Sequence, residues 1–134
     1  MVKDAPAARI MVIDDDPALL NFTCKYLTRL GYSAVPYRSA EEAWRQFQSP
    51  AADYRLAVVD LSMPGLSGEQ LSEMMLRSKP DVRLILMSGY PFDTQRLPEA
   101  GRERMAFLHK PFTPAMLAET VNRLLGNPTS SDAD

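Results

Sequence analysis

The sequence predicts an α/β domain built as a doubly wound parallel sheet, and three observations point there. Five short runs rich in β-forming residues, "RIMVID", "SAVPY", "RLAVVD", "VRLILMS" and "MAFLHK", alternate along the chain with stretches of helical periodicity. The three richest runs are nearly continuous in apolar residues, as central parallel strands covered on both faces require. The 134 residues, 46% hydrophobic and 24% charged, suit one globular domain with a core of its own.

Each helix between the strands carries its own start and stop signals. Asp16 can cap the first, with Pro17 in its opening turn; Leu20, Thr23, Leu27 and Leu30 share a face, and Gly31 can end it. Ser39 with Glu42 forms a capping-box pattern for the second, whose inner face carries Ala43 and Phe47. Ser67 with Gln70 repeats that pattern for the third, ahead of Leu71, Met74 and Met75. Thr113 and Pro114 open the last helix, which presents Leu117, Val121 and Leu124 on one face before Gly126.

The segment "GYPFDTQRLPEAGRER" differs, because Pro91 and Pro98 interrupt any helical reading, and a short or irregular fourth helix is expected there. Repetition of strand, helix, strand then gives an open sheet with right-handed crossovers. Residues 1–8 and 126–134 are small, polar and proline-bearing, and are expected to be flexible ends around a domain spanning 9–125.

Composition narrows the function. A formal net charge of −2 and the lack of a basic patch argue against direct nucleic acid binding. A single cysteine, Cys24, allows no internal disulfide and no thiolate zinc site, and no apolar run is long enough to cross a bilayer, so a cytoplasmic protein without membrane insertion is expected.

The chemistry gathers at the carboxyl ends of the strands, where ligands of open α/β sheets bind. Asp14 and Asp15 close the first strand and Asp60 closes the third, so a parallel sheet carries three carboxylates to one edge. Like charges that close disfavour joint ionisation. A hard dication held by carboxylates, a backbone carbonyl and water relieves the repulsion, and that oxygen shell suits Mg²⁺. Ser88 ends the fourth strand with a hydroxyl and Lys110 the fifth with an ammonium. Carboxylates, a metal, a hydroxyl and a cation together suit a phosphoryl group, for which Asp60 is a candidate nucleophile forming an acyl phosphate.

Four segments, "VIDDDP", "VVDLSMPGLSGEQL", "LILMSGY" and "FLHKPF", fall in order at the expected strand ends, and with them the chain resembles the receiver domains of two-component response regulators from Arg9 to Leu125. The resemblance implies a flavodoxin-like five-stranded sheet in the order 2-1-3-4-5. It also implies residue roles: Asp60 as phosphoacceptor, Asp15 as direct metal ligand, Asp14 as acidic partner acting through water, and Ser62 lending its backbone carbonyl to Mg²⁺ or Mn²⁺. Ser88 matches the switch hydroxyl, Phe107 the switch aromatic, and Lys110 the cation paired with the phosphorylated aspartate, with a cis bond to Pro111. Met63, Pro64 and Gly68 match the loop after the acceptor.

The implied function is a phosphorylation-activated switch in a phosphorelay, fed by a histidine kinase or histidine phosphotransfer protein. It would signal to a downstream protein or fused domain through the face made by the fourth helix, fifth strand and fifth helix (α4-β5-α5 in that family). Such a domain is not a classical enzyme, although it assists its own phosphorylation and dephosphorylation. "LMSGY" and "FLHKPF" are closer to receivers of hybrid histidine kinases than to those preceding DNA-binding domains, and the chain reads as a stand-alone receiver or a piece of a longer protein. Because Phe107 lacks a phenolic hydroxyl, its switching would be read through shape, while the small residues Ser62 and Gly89 leave room for water and predict rapid loss of the phosphoryl group.

Two other classes fit the sequence less well. A pseudo-receiver, an unphosphorylated interaction module, need not retain Asp14, Asp15, Asp60, Ser88 and Lys110 together. A phosphatase of the haloacid dehalogenase type would need a threonine where Ala18 stands after Asp14 and Asp16. Asp16 is read as a helix cap only, His109 as pointing away from Lys110, and Trp44 and Phe47 as helix packing.

Overall fold

The computed structural model describes residues 9–49, 53–63, 65–89 and 101–126. The strands are β1 (Arg9–Ile13), β2 (Ser33–Tyr37), β3 (Tyr54–Asp60), β4 (Arg83–Ser88) and β5 (Met105–His109), and they form one sheet in the order β2-β1-β3-β4-β5. All four pairings are parallel. The described helices are α1 (Pro17–Arg29), α2 (Ala40–Phe47), α3 (Gly68–Ser78) and α4 (Pro114–Leu125). The doubly wound, flavodoxin-like sheet expected from the sequence is thus the observed one.

Strand alternation builds a core on each side of this sheet. Met11, Ile13, Ala57, Val59, Leu84 and Leu86 pack toward α2 and α3, whereas Ile10, Val12, Leu56, Val58, Ile85 and Met87 pack toward α1 and α4. Side chains such as Phe47, Leu71 and Leu117 are fully enclosed, and each burial of that kind stabilises by about 1.5–3 kcal/mol.

The helix ends follow their capping residues, with one exception. Asp16 accepts from the Ala18 and Leu19 amides, Ser67 and Gln70 form a complete capping box, and Thr113 accepts from the Met116 amide behind Pro114. At α2 the expected box forms only by half: Ser39 accepts from the Glu42 amide, but its hydroxyl donates to the carboxylate of Glu41 at 3.2 Å. Leu30 and Leu124, expected on buried faces, are only half-buried at the helix margins.

The segment expected to hold the irregular fourth helix lies mostly outside the described residues, as do residues 1–8 and 127–134. Its end is a short 3-10 turn, Arg102–Arg104, entered through Gly101 at φ 91°. The Arg104 guanidinium donates to the carbonyls of Lys79 and Val82, both at 3.1 Å, and so ties the start of β5 to the end of α3.

Candidate functional site

The parallel sheet delivers its strand ends to one edge, and the acidic pocket lies there. Asp14 follows β1, Asp60 ends β3, Ser88 ends β4 and Lys110 follows β5. Asp14 is anchored from both sides: its amide donates to the Tyr37 carbonyl at 3.1 Å, and its carboxylate accepts from the Asp16 amide at 3.0 Å. Carboxylate oxygens of Asp14, Asp15 and Asp60 lie within 4.8 Å of one another. Asp14 and Asp60 are buried, while Asp15 is exposed and can meet a ligand from solvent.

Lys110 completes the group. Its Nζ stands 3.2 Å from Asp14 Oδ2 and 3.3 Å from Asp60 Oδ2. The other oxygen of Asp60, Oδ1, accepts from the Ser62 amide at 3.0 Å and from the Ser62 hydroxyl at 2.8 Å. Burial pushes the Asp14 carboxyl up to about 6, against the Asp16 amide and Lys110, with the Asp60 charge adding to the rise. Burial also pushes on Asp60, but the Ser62 hydrogen bonds and Lys110 outweigh it and hold Asp60 below the usual carboxylate range. The same two carboxylates overcome the burial of Lys110 and raise its pKa, so the ammonium stays charged.

The donor set fits a hard dication. Carboxylate oxygens within 4.8 Å of one another are close enough to meet around one such ion, and a cluster this acidic with one resident ammonium favours further positive charge. Asp15, Asp60 and the Ser62 carbonyl are the candidate ligands, with Asp14 beside them.

The remaining expected residues fall around this group. Ser88 is fully buried one position beyond Met87, which pairs with Asp60, and its carbonyl accepts from the Lys110 amide at 2.8 Å. Phe107 pairs with Leu86 and packs, half-buried, on the α2 and α3 side. The Lys110–Pro111 peptide bond is cis, and His109 is exposed. Gly68 must be glycine: a Cβ there would stand 2.5 Å from the backbone oxygen of Asp60. Pro64 lies outside the described residues. Burial pushes the Cys24 thiol up to about 11, which disfavours the nucleophilic thiolate at neutral pH.

Two features of the site escaped the sequence reading. The Ser62 side chain, expected to contribute only its backbone and its small size, holds Asp60 through its hydroxyl. Glu41, on a different helix, reaches the loop after Asp60 and accepts from the Leu66 amide at 2.9 Å.

Comparison with known proteins agrees with this geometry. The family model for the response regulator receiver domain matches residues 10–122. Among curated proteins, the chain is 32% identical over 123 residues to the DNA-binding transcriptional regulator NtrC of Azospirillum brasilense, covering 92% of this chain and 25% of that protein. It is 27% identical over 119 residues to the sensor kinase CckA of Brucella abortus, covering 89% of this chain and 13% of the kinase.

The chain thus spans a minor part of either relative, and the match embraces both a regulator and a kinase. Among solved structures it resembles response regulator protein TrrA from Thermotoga maritima in complex with Mg²⁺–BeF, at 29% identity and a TM-score of 0.75 over 88% of this chain and 99% of that one. A second structure holds TrrA in complex with histidine kinase ThkA, with a TM-score of 0.74 and 29% identity over 88% of this chain and 98% of that one.

Proposed function

Since the chain belongs to the response regulator receiver domain family of two-component signalling, we propose that it is a phosphorylation-driven switch whose Asp60 accepts a phosphoryl group from a phosphohistidine on a histidine kinase or histidine phosphotransfer protein. The observation that carries this reading is the meeting of three carboxylates within 4.8 Å beneath an ammonium that contacts two of them. The solved complex of TrrA with a histidine kinase supports a donor of that class.

In the transfer, an Asp60 oxygen forms a bond to phosphorus as the P–N bond of the donor breaks, and the electron pair leaves on the donor imidazole. Asp15, Asp60 and the Ser62 carbonyl, with Asp14 beside them, would hold Mg²⁺ or Mn²⁺, which would supply charge neutralisation for the phosphoryl oxygens. The chain's own residues do the rest. Ser62 fixes one oxygen of Asp60, while the other faces the Lys110 ammonium. Lys110, kept protonated by its two carboxylates, remains available to pair with the acyl phosphate.

The Ser88 hydroxyl then turns to the phosphoryl group and Phe107 follows, shifting the output face, to which β5 and α4 contribute among the described residues. That surface addresses a downstream protein or fused domain. Loss of the phosphoryl group is a separate step, in which water attacks phosphorus and the Asp60 carboxylate leaves, and it uses the same residues. We assign residues 9–125 to this unit and place it in the cytoplasm, in keeping with the finding that no helix among the described residues is long and apolar enough to cross a membrane.

The reading is tested with beryllium fluoride, which mimics a phosphoryl group. In the presence of Mg²⁺ the protein should take up one equivalent, with NMR shifts at Asp60, Ser88 and Phe107 that vanish in Asp60→Asn. Absence of uptake by the wild type in Mg²⁺ would contradict it.

A further inference from the structure

The loop between β3 and α3 must hold Ser62 in place, and its first residues are secured by the sheet. Leu61 donates to the Met87 carbonyl at 2.9 Å, and Ser62 donates to Asp60. Its far end is secured by the capping box of Ser67 and Gln70 and by the close approach of Gly68 to the Asp60 backbone. Between these anchors runs a span containing Gly65, whose φ of 78° places it in the left-handed region.

Glu41 reaches that span from α2. Its Oε2 accepts from the Leu66 amide at 2.9 Å, and the same oxygen lies 2.9 Å from where a Cβ on Gly65 would stand. Its Oε1 accepts from the Ser39 hydroxyl at 3.2 Å, which fixes the carboxylate's orientation. The Leu66 side chain packs against the core shared with α2 and α3, so the residue is held by its amide and by its side chain at once. The hydrogen bond from Leu66 also keeps the Glu41 carboxyl below the usual range, so it stays ionised and accepting.

We infer that Glu41 is a positioning residue for the phosphoacceptor site: its carboxylate tethers the loop through Leu66 and thereby sets the placement of Ser62 against Asp60 and the metal. This rests on the metal-site reading above and adds to it a residue from another helix. Glu41 touches neither substrate nor metal. Its effect passes through the loop backbone, as supporting contacts around metal sites do.

The test compares Glu41→Ala, which removes the acceptor, with Glu41→Gln, which keeps an acceptor oxygen and loses the charge. Mg²⁺ alone is titrated by calorimetry, and hydrogen exchange is followed at the Leu66 amide. Expected is a roughly tenfold weaker Mg²⁺ affinity and faster Leu66 exchange in Glu41→Ala, with Glu41→Gln close to wild type on both. Unchanged affinity or unchanged Leu66 exchange in Glu41→Ala overturns the inference. Equal loss in Glu41→Gln also overturns it, since charge at a distance would then be the cause. If the wild type takes up no Mg²⁺, the metal-site reading falls, while the Leu66 exchange still decides the tether.

Discussion

Lys110 spans two buried carboxylates, its Nζ 3.2 Å from Asp14 Oδ2 and 3.3 Å from Asp60 Oδ2. One ammonium thereby offsets two charges that the fold has removed from water. Taking it away leaves both unpaired, which costs far more than the pair contributes on balance. Lys110→Ala is expected to destabilise the metal-free protein by about 2 kcal/mol, and saturating Mg²⁺ to return much of that loss. Denaturant titrations with and without Mg²⁺ check this.

Asp14 gives the metal-free protein a pH dependence of definite sign. Its folded pKa is raised from 3.8 to about 6, so the native state holds the proton more tightly than the unfolded chain. Its contribution is favourable below the unfolded value and is lost as pH rises through 6. Asp60, held low, contributes in the opposite sense: its stabilisation is present at neutral pH and is lost on acidification. Asp14→Asn should therefore stabilise the metal-free protein at pH 7.5 by about 1–2 kcal/mol, with screening by solvent already discounted, and flatten the fall in stability between pH 4 and 7. Thermal melts across that range would show it.

Gly89 follows Ser88 at the site, and a Cβ placed there meets no atom of the described residues within 4 Å. A larger side chain is expected to be tolerated there and to narrow the path for the water that hydrolyses an acyl phosphate. Gly89→Leu is expected to lengthen the phosphoryl lifetime several-fold at unchanged melting temperature. Decay of the phosphorylated protein, followed by mass, measures it, and an unchanged lifetime would remove Gly89 from the account of rapid loss.

Thr23 sits on the buried face of α1 with its hydroxyl fully enclosed and without a hydrogen-bond partner among the described residues. Such a group costs the desolvation of its hydroxyl, and valine has nearly the same shape without it. Thr23→Val should raise stability by about 1 kcal/mol in denaturant titrations, with no change in Mg²⁺ binding.

What the sequence made legible was what sheet geometry alone dictates. Because all strands run parallel, a residue at a strand's carboxyl end lands on the same edge as its counterparts, so the sequence alone places Asp14, Asp60, Ser88 and Lys110 together. Capping signals worked for the same reason, since Asp16, Ser67 and Thr113 act on amides two or three residues away.

Contacts between distant elements could not be read that way. Glu41 and Leu66 lie 25 positions apart, Arg104 and Lys79 also 25, and nothing in their local patterns joins them. At α2 the Ser39 hydroxyl caps the helix as the local rule expects and also donates to the carboxylate that holds Leu66, a second contact that the local pattern does not encode. The Ser62 hydroxyl was overlooked for a different reason: size was weighed where hydrogen-bonding capacity decided its role.

The central claim is that Asp60 is a metal-assisted phosphoacceptor, and intact-protein mass spectrometry after incubation with a small phosphodonor tests it most directly. The account predicts a gain of one phosphoryl group that requires Mg²⁺ and is absent in Asp60→Asn. No gain in the wild type, even with a phosphorylated histidine kinase or phosphotransfer protein supplied, or an equal gain in Asp60→Asn, would contradict it and leave an interaction module that keeps the fold without the chemistry.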